Sequence, residues 1–181
     1  MRLVAAVLLL SLGCETARND PPTIDETVQI DIHAADSSVR YFETLKAADA
    51  GPIGGAILDA KIEARKLIDY RNQLMTLVDD AERGLPGLDP ATGRRVSPHH
   101  VKCRFEAVNE GLEEAQFETD RLLKAAATLR REISKRGEIT GLDMFRHRTS
   151  SPEAASLHKQ FEESKAKISL WVAIAIYKSC P

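Results

Sequence analysis

The chain has 181 residues, with 25 Lys and Arg against 27 Asp and Glu, a formal net charge of −2, and only 5% aromatic residues. This near-neutral balance gives no electrostatic reason to expect a nucleic-acid partner, and the length corresponds to one ordinary domain with room for a hydrophobic core. Frequent alanine and few aromatic residues favour helices packed on helices over sheets.

The first residues are predicted to be a targeting segment and not part of the folded domain. Arg2 is followed by an apolar run over residues 3–12, and Gly13 and Cys14 end this run before charged and polar residues begin. The run is far shorter than the roughly 20 residues that are needed to cross a bilayer. A basic start followed by such a short apolar run is typical of a secretory signal peptide.

The end of this run, LSLGC over residues 10–14, resembles the lipobox of bacterial lipoproteins, although Ser11 and Leu12 stand in the opposite order to the commoner one. The resemblance implies cleavage between Gly13 and Cys14 and acylation of Cys14 on its thiol and its new amino group. The alternatives are an ordinary signal peptide cut after Gly13, with Ser11 as the small residue at position minus three, and an uncleaved anchor.

Three segments follow from this interpretation: a signal peptide over 1–13, a lipidated flexible tether over 14–23 and a single helical bundle over 24–181. The tether is polar and contains a double proline, so it cannot join a hydrophobic core. Glu15 follows the cysteine in place of the Asp that marks inner-membrane retention in enteric bacteria. The predicted location is therefore the bacterial cell envelope, with the outer membrane, facing the periplasm, favoured over the inner membrane.

Residues 24–36 fit two patterns. Every second residue from Val28 to Ile32 is apolar, as in a short strand, whereas Ile24, Val28, Ile32 and Ala35 also make one helical stripe. Between these two patterns, helix is favoured.

Two further helices are predicted before the middle of the chain. A short one runs over 37–49, with Ser37 or Ser38 as its N-cap. The stretch AGPIGG separates it from a longer helix over 54–83. A loop over 85–98 follows, rich in the turn pairs Pro-Gly, Asp-Pro and Thr-Gly.

The strongest periodicity in the sequence begins at Ser97-Pro98. Mostly apolar or small residues recur every seven positions, with a second set three positions after the first, which predicts a long helix with a heptad seam. Gly137 is predicted to end this helix. The seam residues are Phe105, Leu112, Thr119, Ala126 and Ile133, together with Val108, Ala115, Leu122 and Leu129.

The last helix is predicted to begin at Pro152, after a loop over 137–150. The same heptad spacing continues along it as far as Trp171 and Ala175. The two long helices are therefore expected to form an antiparallel hairpin.

The three cysteines support this arrangement. If Cys14 carries lipid, Cys103 and Cys180 remain as one pair, and an oxidising periplasm favours a disulfide between them. The arm from Cys103 to Arg136 spans about 50 Å and the arm from Ser151 to Cys180 about 44 Å, at 1.5 Å per helical residue. The arms match to within about one turn, so we expect the two cysteines to meet at the open end of the hairpin. Two free thiols are the alternative.

Two surfaces are candidates for binding a partner. The run LWVAIAIY, residues 170–177, would be apolar on every face of a helix. It is either wrapped by the N-terminal segments or forms a docking surface, for which Trp171 and Ile174 are the predicted contacts. The closed end of the hairpin is basic, and Arg146 and Arg148 there are the second choice, for lipid phosphates or an acidic partner. The alternative for these bases is helix-dipole complementation and solubility.

A metal site is not expected, although His99, His100 and Cys103 lie close together in the sequence. Structural zinc sites need about four protein ligands. His147 and His158 fall near the other end of the hairpin, and a disulfide would use Cys103. The sequence contains no Gly-x-Ser-x-Gly, Walker or His-Glu-x-x-His motif, and we expect no enzymatic activity and no cofactor.

The predicted fold class is all-α, an elongated antiparallel three- to four-helix bundle with a long C-terminal helical hairpin. In outline this is similar to small helical envelope lipoproteins, including the pilotins that escort secretion channels. The likeness consists of architecture, lipobox and one disulfide. The likeness assigns no partner-binding residues. We expect a membrane-anchored, non-enzymatic interaction or adaptor protein with a partner in the envelope. The alternative is a bundle that binds or senses a small ligand or a metal between its helices.

Overall fold

The computed structural model describes residues 27–46, 53–135 and 152–180. The predicted signal peptide, Cys14 and the tether lie outside the described residues, as do Arg146 and Arg148. In chain order the elements are α1 (Asp36–Thr44), α2 (Gly54–Met75), α3 (Val78–Glu82), β1 (Gly87–Leu88), β2 (Arg95–Val96), α4 (Pro98–Lys135) and α5 (Pro152–Tyr177).

The predicted all-α fold is confirmed. Helices α4 and α5 form the two arms of the antiparallel hairpin and contact each other most extensively, α2 packs against both arms, and α1 lies against α2 and α4. The only strands among the described residues are β1 and β2, which pair antiparallel over two residues each. The bundle follows from three long helices that each bury one apolar stripe.

The heptad seam of α4 is buried along its described length. All eight seam residues from Phe105 to Leu129 lie in the interior, and the side chain of Ile133 falls outside the described residues. The one polar member, Thr119, is satisfied within its own helix, because its Oγ1 donates a hydrogen bond to the carbonyl oxygen of Ala115 at 2.7 Å. Hydrogen bonding inside the helix therefore lets a threonine occupy a core position at little cost.

The two cysteines meet at the open end of the hairpin. Cys103 lies near the start of α4 and Cys180 follows the end of α5, and their Cα atoms are 5.8 Å apart in a disulfide. This is the arrangement that the lengths of the two arms predict.

The long helix predicted over 54–83 is interrupted. Helix α2 ends at Met75 and α3 begins at Val78. At the break, the N–H of Leu77 donates to the carbonyl oxygen of Leu74 at 2.9 Å, and Thr76 Oγ1 donates to the carbonyl oxygen of Gln73 at 2.7 Å. These contacts tighten the turn. Val78, the first residue of α3, is buried in the core.

The start of α1 also differs from its prediction. The helix begins at Asp36, after Ala35 in a left-handed conformation with φ 60°, and no side-chain cap bonds its first turn. Ser38 is buried in the helix and is not its cap. The helix ends at Thr44, and residues 47–49 lie outside the described residues.

The prediction of helix over 24–36 is wrong for the residues that the structure describes. Val28 and Ile30 are both buried and alternate with exposed neighbours, in a segment without regular structure, and residues 32–35 form a turn. Asp31 Oδ1 accepts the backbone N–H groups of His33, at 3.0 Å, and Ala34, at 3.1 Å. This Asx turn offers the backbone partners that compete with helix formation.

Arg71 holds this segment on the bundle. The guanidinium of this buried residue donates to the carbonyl oxygens of Ile32 and Ala34, the latter at 2.7 Å, and contacts Asp36 Oδ1 at 2.8 Å. Its Nε donates to Asn109 Oδ1 at 2.9 Å. One side chain of α2 thereby ties the N-terminal segment to both α2 and α4.

Replacing Arg71 by Met is expected to lower the free energy of unfolding by about 3 kcal/mol, because the carbonyls, Asn109 and Asp36 lose a buried cationic partner. Urea unfolding measures this change, and limited proteolysis should show earlier cleavage between residues 27 and 36. The matched control is Arg65→Met, which removes an exposed partner of Asp69 and should cost less than about 1 kcal/mol. Equal losses in the two variants would show that apolar packing alone holds the segment.

Candidate functional site

The apolar run at the end of α5 is divided between the core and the surface. Val172 and Ala175 are buried and belong to the main core cluster, and Ile176 packs against it. Trp171, the first predicted contact residue, is half-buried. Its backbone lies against α4, where a Cβ placed on Gly111 would lie 3.5 Å from the Trp171 carbonyl oxygen. The glycine allows the two arms to approach closely at this level.

The outer side of the same run is an exposed apolar stripe. Leu170 is 56% exposed, Ile174 is 38% exposed and Tyr177 is 81% exposed. Their spacing of four and three places them on one face of the helix. We call Leu170, Ile174 and Tyr177 the α5 stripe. Ile174, the second predicted contact residue, lies at its centre.

Ion pairs with α4 border the α5 stripe. Lys167 Nζ lies 2.9 Å from Glu118 Oε1, and Lys178 Nζ lies 3.9 Å from Glu110 Oε2. An apolar strip next to charged groups is the pattern of a protein contact surface, where an apolar centre is rimmed by polar groups.

Glu118 fixes how α5 is rotated against α4. Its carboxylate is buried and accepts hydrogen bonds from Ser164 Oγ and Lys167 Nζ, each at 2.9 Å, and lies 3.0 Å from Arg121 Nη2. The sequence analysis missed this role for Glu118. The available signal was Ser164, which follows Leu157 by seven residues and precedes Trp171 by seven, so the heptad spacing of the last helix places its hydroxyl in the core, where it needs a polar partner.

A second polar cluster lies at the open end of the hairpin, around the buried carboxylate of Asp89. Oδ1 accepts the Tyr70 hydroxyl at 3.3 Å and the backbone N–H groups of Ala91 and Thr92 at 2.7 and 3.2 Å. Oδ2 lies 3.3 Å from His100 Nε2 and 3.7 Å from Arg104 Nε.

The pKa values of two groups in this cluster, Asp89 and Tyr70, are shifted from their ordinary values. Burial acts to raise the pKa of Asp89, but hydrogen bonds from Ala91, His100 and Thr92 and the positive charge of Arg104 outweigh burial and lower it below its ordinary value. Burial raises the pKa of Tyr70 to about 12, and the neighbouring Asp89 acts in the same direction. At neutral pH an ionised Asp89 therefore accepts a hydrogen bond from a protonated Tyr70.

The Asp89 cluster connects four parts of the fold, of which α2 contributes Tyr70. Arg104 Nη1 also donates to the carbonyl oxygen of Ile176 at 2.7 Å, so the loop, α4 and the end of α5 share one network. An Asp–His pair can orient a catalytic base when a nucleophile faces the imidazole. Ser97, a nearby hydroxyl, has a different role, because its Oγ accepts the backbone N–H of His100 at 3.1 Å and caps α4. The arrangement supports a structural role for the cluster.

Among the described residues, no group of three or more His, Cys, Asp and Glu side chains is arranged to hold a metal ion. The residues of the considered metal cluster have other roles or face solvent: His99 is exposed, His100 contacts Asp89 and Cys103 is in the disulfide. His158 stacks on Phe161, and His147 lies outside the described residues.

A groove of about 210 Å³ lies between α2 and α5. The ion pair of Lys165 with Asp59, 3.2 Å apart, stands at this groove. Its lining also includes apolar side chains of both helices, among them Ala60 and Ile168.

Within the described ranges, no helix has the length and apolar character of a membrane span. The chain matches no protein-family model, no curated protein and no solved structure.

Proposed function

We propose that this chain is a lipid-anchored, non-enzymatic adaptor of the bacterial cell envelope. The acylated Cys14 tethers it, and the α5 stripe docks a partner protein. The lipobox-like LSLGC over residues 10–14 supports the anchor and the compartment, with the outer membrane favoured. The exposure of Leu170, Ile174 and Tyr177 on a helix that is otherwise fixed in a bundle is the observation that carries the docking role.

The occupant that fits the α5 stripe is an amphipathic helix of an envelope protein. A stripe with spacing four and three is the ridge that packs against another helix. Full burial of a Leu or Ile side chain stabilises a contact by about 1.5–3 kcal/mol, and less is gained here because all three side chains are already partly covered. The stripe therefore has the size of a hot spot within a larger interface.

Site-specific cross-linking in intact cells tests this function. A photo-cross-linking amino acid at position 174 should give one discrete product with an envelope protein, and the same group at position 58 on α2 should not, although Leu58 is 50% exposed and Ile174 only 38%. Leu170→Asp in the cross-linking chain should reduce the product at least tenfold, a loss of about 1.4 kcal/mol or more in binding. Leu58→Asp is the matched control and should leave the yield unchanged.

Two further results decide between the parts of this proposal. Cys14→Ser should move the protein from the membrane fraction to the soluble periplasmic fraction, because the lipid is its anchor. Cross-linking that is equal from positions 174 and 58, or unaffected by Leu170→Asp, would contradict docking on the α5 stripe. Circular dichroism of each variant checks that the bundle is folded.

The groove between α2 and α5 favours a second candidate function, the binding of a small ligand. Its volume of about 210 Å³ is below the 300–1,000 Å³ that is typical of pockets for drug-sized molecules, so a ligand here would be small. Native mass spectrometry of the purified full chain tests this function. An added mass beyond polypeptide and lipid, lost when Ala60 at the groove is replaced by Phe, would support it.

A further inference from the structure

The N-terminal segment enters the bundle beside α3. The backbone N–H of Ile30 donates to Glu82 Oε1 at 3.3 Å, and Val28 shares a core cluster with Val78 and Ala81. Thr27, the first described residue, is therefore near the end of α3, at the open end of the hairpin.

The loop that follows α3 exposes apolar side chains at this same end. Leu85 is 44% exposed and Leu88 is 63% exposed. Arg94 and Arg95 are also exposed, and Arg95 pairs with Leu88 across β1 and β2. We call residues 84–96 the open-end loop.

The open-end loop is firmly held although its leucines face outwards. Asp89 is 2% exposed and bonds the N–H groups of Ala91 and Thr92 within the loop. A Cβ on Gly87 would come within 3.2 Å of Leu77 Cδ2, so the loop backbone lies directly on a partly buried side chain that packs against the core. Leu85 and Leu88 are therefore exposed on a loop whose backbone is held in place.

Charges near the open-end loop are mixed. Asp80 is paired with Arg83 at 2.7 Å, Glu82 accepts the N–H of Ile30, and Asp79 is exposed beside them. Arg95 lies opposite Leu88 across β1 and β2, Arg94 beside it in the chain is also exposed, and Asp89 is buried. The outer surface of the β1–β2 hairpin therefore combines leucine with positive charge. This is the composition of a contact with the headgroup region of a bilayer.

The tether limits which part of the protein can reach the membrane. Twelve residues separate Cys14 from Thr27, and the thirteen Cα-to-Cα steps between these two residues span at most about 45 Å at full extension. Helix α4 has 38 residues and is about 57 Å long at 1.5 Å per residue. An upright bundle anchored through Cys14 therefore faces the bilayer with its open end.

We propose that the open-end loop rests on the membrane that holds the Cys14 lipid, with Leu85 and Leu88 in the interfacial region and Arg94 and Arg95 at the lipid phosphates. This inference rests on the anchor in the proposed function. The bundle then stands on its open end, and the α5 stripe starts near the membrane surface at Tyr177 and rises about 10 Å to Leu170.

Fluorescence quenching in vesicles tests the inference. The full chain is expressed in a bacterium, purified in detergent, checked for its lipid by mass spectrometry, and reconstituted into vesicles of phosphatidylethanolamine and phosphatidylglycerol. Trp171, the only tryptophan, is replaced by Phe, and a reporter is introduced by Leu88→Trp or, as the matched control, by Leu58→Trp. Leu58 is 50% exposed and lies near the start of α2, at the end of this helix that is farther from the open-end loop.

Lipids with brominated acyl chains should remove more than half of the emission from the Leu88→Trp protein and leave that of the Leu58→Trp protein unchanged. If brominated lipids quench the same fraction of the emission in the two lipidated proteins, the orientation is overturned and the anchor is left intact. A purified chain without lipid would overturn the anchor, and the inference with it. Circular dichroism confirms that both reporter proteins are folded before reconstitution.

Discussion

Replacing Cys103 and Cys180 together by Ser is expected to lower the free energy of unfolding by about 4–5 kcal/mol, because the disulfide closes a loop with a sequence separation of 77 residues. In a protein of this size each kcal/mol corresponds to about 2–4 °C in melting temperature, so the midpoint should fall by about 10–15 °C. Thermal unfolding followed by circular dichroism measures the change. The effect is large because a cross-link between residues far apart in the chain removes much conformational freedom from the unfolded state.

The two single variants are the internal control for this prediction. Cys103→Ser and Cys180→Ser should each lose as much as the double variant, because either change removes the same bond. Each is measured as a monomer, since a free thiol can join two chains. A loss below about 1 kcal/mol in the double variant would show that helix packing alone sets the stability.

Replacing Asp89 by Ala is expected to lower the free energy of unfolding by about 3–5 kcal/mol, because Arg104 is left as a buried charge without its carboxylate partner. The N–H groups of Ala91 and Thr92 also lose their acceptor, so the open-end loop should become accessible to proteases. Asp80→Ala is the matched control. Asp80 forms an exposed pair with Arg83, and its loss should cost less than about 1 kcal/mol.

The pH dependence gives this prediction a distinct signature. The folded pKa of Asp89 lies below its unfolded value, which is about 3.9. The stability that its ionised form contributes is therefore fully present above about pH 4 and is lost as the pH falls through the folded pKa. The difference between wild type and Asp89→Ala in urea unfolding should be constant near neutral pH and shrink in acid. A constant difference down to pH ~3 would contradict an ionised Asp89.

The long hairpin was predictable from the sequence because its signal is repeated. The heptad seam from Phe105 to Leu129 repeats the same apolar spacing over several successive turns, so one polar residue such as Thr119 does not change the prediction of a long helix. The meeting of Cys103 and Cys180 followed from the lengths of the two arms, because the rise of an α-helix is nearly constant.

The segment before α1 shows where local pattern fails. Val28 and Ile32 suit a helical stripe as well as an extended chain, and the side chains that select the extended form come from elsewhere in the chain. Arg71 supplies donors for the carbonyls of Ile32 and Ala34. The bond from Ile30 to Glu82 joins residues 52 positions apart, and no local periodicity contains it.

The candidate site was predictable only in part for the same reason. The sequence determined that residues 170–177 are apolar and that α5 is a helix, but a run that is apolar on every face does not say which face is covered. The tertiary structure decided this, because Glu118 binds Ser164 and Lys167 and sets the rotation of α5. Packing against α2 and α4 then buries Val172 and Ala175 and leaves Leu170, Ile174 and Tyr177 outside. Periodicity within a helix identifies a stripe, whereas exposure depends on neighbours that are distant in the chain.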